Sequence, residues 1–197
     1  MLLHHKADVN ITNGVKGYTA LMRASENNNV KVARLLIEHG ANVDKQTPNG
    51  WSALMISCQK GHIETAKLLL DHRANVNMQK KNGASSLMVS CQNGHTETAK
   101  VLLSSGANVN MQQSDGATAL MLSGWNGHTE TAEVLLDHGA NVNVQMNDGA
   151  SALIISSQNG HTETAKLLLD HGANVNMQLY NGWSAFCLLY TSDAADE

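Results

Sequence analysis

Glycine recurs in this chain with a period of 33 residues, and that regularity constrains the fold more than any other feature. A single globular core has no need of such a period, whereas a solenoid of stacked supersecondary units does. The 197-residue chain is therefore predicted to be a repeat array with five whole copies. The periodic series is Gly17, Gly50, Gly83, Gly116, Gly149 and Gly182.

Each copy carries the signals of two helices joined by a turn. Ser52 stands two residues after the periodic glycine, and its hydroxyl predicts the cap of a short first helix. Gly61, followed by histidine, predicts a left-handed turn out of that helix. Glu64 suits the positive start of a second helix, whose apolar stripe includes Ala66 and Leu69. An Asn- and Gln-rich loop then leads to the next copy.

One such unit cannot fold alone. Four or five buried aliphatic side chains at roughly 2 kcal/mol each contribute about 10 kcal/mol. Ordering a copy of 33 residues costs several times as much. Neighbouring copies are therefore expected to share their cores, built from aliphatic residues because aromatic residues make up only 4% of the chain.

The repeated motifs resemble those of the ankyrin repeat family. S-A-L-M at 52–55, A-T-A-L-M at 117–121, the recurring G-H and the G-A-N-V-N segments match its pattern in register. The resemblance implies an all-α, ankyrin-type helix–turn–helix solenoid with short β-hairpin loops. The proline and histidine of the family's first motif are absent, and Met or Ile stands where the histidine would be. We expect somewhat less stable units with the same fold.

The ends of the chain depart from the period. Residues 1–16 resemble the tail of an earlier copy, and 17–186 hold five full repeats and the start of a sixth. Residues 187–197 fit no part of the unit and resemble a translated sequencing-library adapter, so a non-native tail is predicted there.

Composition and residue spacing argue against a catalytic site, a metal or cofactor site, nucleic-acid binding and membrane insertion. Ser, His and Glu recur as features of the repeat, so no catalytic site is predicted, and equivalent histidines lie too far apart to share a metal ion. No phosphate-binding glycine loop, cofactor site or small-molecule substrate is expected. A net charge of −4 without a basic block argues against nucleic acid, and no apolar run is long enough for membrane insertion.

Cys58 and Cys91 lie one period apart, which predicts matching places on adjacent units and a separation too large for a disulfide. Free thiols favour a cytoplasmic or nuclear location, with a secreted protein containing buried thiols as the alternative.

Candidate partner-binding residues are those that break the repeat at exposed positions. Trp125 replaces a Gln or Glu found in the other copies, and aromatic side chains are typical of interface hot spots. In ankyrin proteins such positions line a concave face and the hairpin tips. Trp51 is equally compatible with covering a neighbouring repeat, and the two lysines with a solvated loop tip. The predicted set is Tyr18, Trp51, Lys80, Lys81, Trp125, Met146, Tyr180 and Trp183.

Two functions of different classes follow from these patterns. The first is a scaffold that binds a protein partner through the concave face and the hairpin tips. The alternative is a targeting or regulatory arm of a larger enzyme or channel whose catalytic or membrane part is missing from this sequence.

Overall fold

The array is built from pairs of short helices, seen in a computed structural model that describes residues 8–14 and 16–185. Within those residues the chain forms ten helices. The first helix of each pair has seven residues and the second has nine. The first helices are α1 (Ala20–Glu26), α3 (Ala53–Gln59), α5 (Ser86–Gln92), α7 (Ala119–Trp125) and α9 (Ala152–Gln158). The second helices are α2 (Val30–Glu38), α4 (Ile63–Asp71), α6 (Thr96–Ser104), α8 (Thr129–Asp137) and α10 (Thr162–Asp170).

Each first helix packs against the first helices of the neighbouring pairs, and each second helix does the same. The all-α solenoid that the sequence predicts is therefore confirmed. The predicted tail at 187–197 and half of the predicted partial copy at 1–16 lie outside the described residues, so both stay predictions.

Helix starts follow the hydroxyl signal in the sequence. Ser52 Oγ accepts a hydrogen bond from the backbone N–H of Met55 at 3.3 Å, and Thr118 Oγ1 accepts one from Met121 at 3.4 Å. These bonds satisfy a backbone donor that the helix itself leaves without a partner. Met55 and Met121 are fully buried, so methionine fills the space at the family's histidine position.

The core is continuous from one pair to the next. The alanine and leucine of the second-helix stripe are buried in every copy, as Ala66, Leu69, Ala99 and Leu102 show. Alanine at the contact lets neighbouring helices approach closely, and leucine fills the remaining space. The shared core that one isolated copy could not form is thus built between copies.

The periodic glycine is required by the hairpin loop of the following copy. Gly50 has φ +85°, a backbone conformation that other residues rarely adopt. A Cβ added at Gly50 would stand 2.7 Å from Lys80 Cα, which belongs to the next hairpin. The backbone N–H of Lys81 donates to the carbonyl of Asn49 at 3.3 Å, so successive hairpins also bond to each other. The period in the sequence therefore marks the backbone contact between copies.

Amide side chains tie the loops of successive copies together. Asn77 Nδ2 donates to the carbonyl of Gly106 at 3.1 Å, while Asn77 Oδ1 accepts from the backbone of Asn108 at 2.8 Å. Gln79 Nε2 donates to its own hairpin at Gly83 and to Gln112 of the next loop. The Asn- and Gln-rich stretches are thus cross-links between repeats.

The copies that carry α2 and α4 depart from the others at two loop positions. Asp44 stands where the ladder otherwise has Asn, and its carboxylate accepts from Asn75 N at 2.9 Å but has no N–H to donate. Arg73 stands where other copies have glycine and adopts φ +63°. The first departure removes an amide hydrogen-bond donor between loops, and the second places a side chain in a left-handed conformation that glycine adopts without strain.

We predict that Arg73→Gly raises the free energy of unfolding by about 0.5–1 kcal/mol, because the left-handed strain disappears while the unfolded chain gains some freedom. Urea unfolding followed by circular dichroism measures the change. Gly106→Arg is the matched control: it occupies the equivalent position with φ +85°, and no atom lies within 4 Å of an added Cβ. It should lower stability by a similar amount, and an unchanged or higher value would refute the assignment of strain.

Candidate partner-binding surface

The eight predicted residues belong to the hairpin loops and, for Trp125, to a first helix; we call the surface of these elements the groove face. Tyr18, Trp51 and Trp183 each follow a periodic glycine at the end of a hairpin. Trp125 is the last residue of α7. The other four belong to hairpin tips, and they are Lys80, Lys81, Met146 and Tyr180.

Trp51 and Lys80 form a pair across a repeat junction. The Lys80 ammonium lies 4.3 Å from the centroid of the Trp51 ring. Trp51 is half-buried and packs against the core, and burial lowers the pKa of Lys80. A cation over an indole face is a favourable contact, stronger when partly desolvated. Trp51 therefore covers a neighbouring repeat, one of the two roles that the sequence allowed, and Lys80 is more than a solvated tip.

Tyr18 shows the same arrangement within one copy. The Arg23 guanidinium lies 4.4 Å from the centroid of the Tyr18 ring and also pairs with Glu26 at 2.6 Å. Tyr18 is half-buried against the core. At the first two of these aromatic positions the chain thus supplies a cation of its own.

Trp125 differs from both, because 55% of its surface is exposed. It borders a cleft of about 470 Å³ between the hairpins and the first helices. Ala84 lines this cleft at the position that Trp51 occupies in the preceding copy, so the space has no aromatic ring from the hairpin side. We call it the Trp125 cleft, and its lining is Lys80, Asn82, Ala84, Gln92, Gln113, Asp115, Leu122, Trp125 and Asn126.

Of the remaining predicted residues, one packs against the core and three are exposed to solvent. Met146 is half-buried against the core, and its backbone carbonyl accepts from Gly149 N at 3.0 Å. Lys81 is exposed at its hairpin tip. Tyr180 is 83% exposed and Trp183 45% exposed, at the far end of the described array. The structure therefore brings Lys80 and Trp125 to one cleft and leaves the other predicted residues outside its lining.

Sequence reasoning missed the polar part of the cleft. Asn82, Gln92, Gln113 and Asp115 line it, although most of them look like ordinary repeat residues. The available signal was Ala84, whose small side chain opens the space that an aromatic ring would fill. The small side chain of Ala84 and the aromatic side chain of Trp125, considered together, would have indicated the cleft.

The recurring histidines, a residue type that can serve in catalysis or metal binding, make structural contacts between copies. His95 Nε2 lies at hydrogen-bond distance, 3.1 Å, from the carbonyl of Gln59 in the preceding copy. The His95 ring also covers Gly61, where an added Cβ would stand 2.7 Å from Nδ1. Among residues 8–14 and 16–185, no three His, Cys, Asp or Glu side chains are grouped closely enough to hold a metal ion.

The two thiols at the centre of the array, Cys58 and Cys91, are fully buried and unpaired, as the spacing predicts. Burial raises the pKa of each to about 12. A thiol that stays protonated at neutral pH is a poor nucleophile and metal ligand. These cysteines therefore act as small apolar core residues.

Comparison with known families agrees with the fold. A model of ankyrin repeats in three copies matches residues 1–80 and again 73–146, and a single ankyrin repeat model matches 148–178. The chain belongs to the ankyrin repeat family. No curated protein matches the chain. Ankyrin repeats are in general protein–protein interaction modules and are typically not catalytic. The described helices of this ankyrin array include none that is long and apolar enough to cross a membrane.

We predict effects of different size on stability for Trp51 and Trp125 of the ankyrin array. Trp51→Ala should lower the free energy of unfolding by about 2 kcal/mol, because a half-buried ring and its Lys80 contact are lost. Trp125→Ala should change it by less than about 0.5 kcal/mol.

Urea denaturation of both variants, with Gln158→Ala as a control at the position equivalent to Trp125, measures these differences. A large loss for Trp125→Ala would show that this ring supports the fold and would remove the reason to treat it as a binding residue.

Proposed function

We propose that this ankyrin array is a scaffold that binds a protein partner through the groove face, with Trp125 at the centre of the contact. The observation that carries the proposal is the exposure of Trp125 beside an open cleft. Tryptophan is enriched in interface hot spots, and aromatic side chains in general are enriched at protein interfaces relative to the rest of the surface.

The repeat supports this choice, because neighbouring copies do without an aromatic ring there. The equivalent residues are Gln59, Gln92 and Gln158, and all three are exposed. Packing of the array therefore does not call for a ring at this position. An indole that the fold does not use is available for binding, and its burial by a partner gives a large apolar contact at low entropic cost.

The hairpin tips extend the proposed contact. Lys81 is exposed on one side of the Trp125 cleft, and Tyr180 and Trp183 are exposed further along the groove face. These side chains differ between copies while the hairpin backbone stays the same. We propose that the constant backbone sets their spacing and that the variable side chains select the partner.

We also propose a reducing compartment, the cytoplasm or nucleus, as the site of this interaction. The support is that Cys58 and Cys91 are both unpaired in the core. Disulfides are the rule for cysteines in oxidising compartments, though buried thiols also survive there.

Site-specific photo-crosslinking tests the proposed surface. A photoreactive amino acid placed at position 125 should crosslink to a discrete protein in extract from cells of the source organism. The same amino acid at Lys166, exposed on the second helix α10 and outside the groove face, is the matched control.

Once the crosslinked protein is purified, Trp125→Ala should weaken its binding by about 2 kcal/mol, while Gln158→Ala leaves it unchanged. Crosslinks at position 166 without any at 125 would contradict the proposed surface. So would a Trp125→Ala variant that binds with unaltered affinity.

A further inference from the structure

Charge is divided unevenly along the chain. Residues 101–165 contain six Asp or Glu residues and no Lys or Arg, whereas most of the cations of the chain precede residue 101. This stretch forms the end of α6, the whole of α7, α8 and α9, the start of α10 and the loops between them. The net charge of −4 conceals an acidic third of the chain. That third carries Trp125.

The acidic side chains are exposed on both sides of the array. Asp115 and Asp148 lie at hairpin positions of the groove face, and Glu130, Glu133 and Asp137 lie on α8. Glu133 stands where the flanking copies have lysine, and no ion pair is made by Glu133 within the described residues. Clustered charges of one sign attract oppositely charged partners over distances of about a Debye length.

Two aromatic residues of the groove face, Tyr18 and Trp51, have a cation over the ring, whereas the exposed Trp125, Tyr180 and Trp183 have none among the described residues. Tyr18 has the Arg23 guanidinium over its ring, and Trp51 has the Lys80 ammonium over its ring. No described residue places a cation over Trp125. The ring is open to a cation that comes from another molecule.

From these observations we infer that the Trp125 cleft binds an arginine side chain from a basic segment of the protein partner. The guanidinium stacks on the Trp125 ring and faces the Asp115 carboxylate, which lines the same cleft. This inference rests on the proposed function and adds the chemistry of the partner. Two cations of the chain lie at this hairpin: Lys80 lines the cleft with its ammonium over the Trp51 ring, and Lys81 is exposed beside it, outside the lining. Asp115 is the acidic residue of the lining.

The polar lining favours arginine over lysine. Asn126 uses its amide nitrogen to donate to the carbonyl of Leu122 at 2.9 Å, so its amide oxygen remains an acceptor. Gln92 makes no hydrogen bond of its side chain within the described residues and lines the cleft as well. A planar guanidinium can stack on indole while its N–H groups donate to such oxygens, whereas a lysine ammonium offers only a point charge.

Selection from a library of random dodecapeptides displayed on phage, with the immobilised full chain as bait, tests the inference. The expected result is enrichment of arginine-containing peptides. For synthetic copies of these peptides, the affinity should fall about tenfold when the key arginine is replaced by glutamine or when Trp125→Ala is the receptor. Trp125→Leu should lose nearly as much, because it keeps an apolar side chain without a ring face.

Two charge variants distinguish a contact within the cleft from general electrostatic attraction to the acidic stretch. Asp115→Asn should weaken binding severalfold, while Glu133→Gln on α8 removes the same charge and should weaken it less. Binding should also fall as salt rises from about 50 mM to about 300 mM.

The outcomes distinguish the two proposals. Apolar or acidic peptides that require Trp125 would overturn the basic partner and leave the groove-face function standing. Arginine peptides that bind equally well to Trp125→Ala would overturn the inference, since the ring would not be their site. Enriched peptides that are indifferent to every groove-face variant, or no enrichment, would count against both.

Discussion

The structure depends on helices of adjacent copies sharing one core. This core continues from one helix pair to the next, and it buries Ala66 and Leu69 of one copy and Ala99 and Leu102 of the following one. Leu35 of the first described pair is exposed, whereas the equivalent Leu68 of the second pair is buried. Stability in such a chain is close to a sum of copies and of junctions between nearest neighbours.

Three further contacts fix how closely the copies sit. Glycine at the hairpin admits the backbone of the next loop, the histidine ring of one copy covers the turn glycine of the preceding one, and amide side chains bridge the loops. Because each contact recurs once per copy, a departure in one copy weakens one junction. Thr98 shows this: its buried hydroxyl has no partner, since Ile63 stands where later copies supply a threonine such as Thr96, which pairs with Thr131.

Departures from the period therefore fall into two kinds. Arg73, Asp44 and Ile63 each remove a contact that other copies make, and they affect the scaffold alone. Trp125 adds an aromatic side chain that the equivalent positions of other copies lack, and its exposure beside an open cleft is the basis of the proposed partner contact. A departure at a contact between copies affects the scaffold, whereas a departure at an exposed position away from such a contact is a candidate for partner binding.

Sequence patterns predicted the features that depend on residues close together in the chain. The hydroxyl caps and the left-handed turns at Gly61 and its equivalents follow from local spacing. The unpaired cysteines follow from the period, which places them at matching positions of adjacent copies. The contact of Lys80 with Trp51 was not predicted, because it joins residues 29 positions apart whose geometry depends on the stacking of two copies. The cleft was missed for the same reason, since Ala84 and Trp125 come from different copies. The acidic stretch at 101–165 was visible in the sequence but hidden by the net charge of the whole chain.

Deleting one internal copy tests most directly whether the array is a sum of equivalent, in-register units. Removal of residues 83–115 joins Asn82 to Gly116 and keeps the period of 33 residues. The shortened chain should remain helical and unfold cooperatively, with a free energy of unfolding lower than that of the full chain by one copy and one junction. Deletion of residues 83–102 breaks the register and should leave a poorly folded chain. An unfolded in-register deletion, or one as stable as the full chain, would contradict the account.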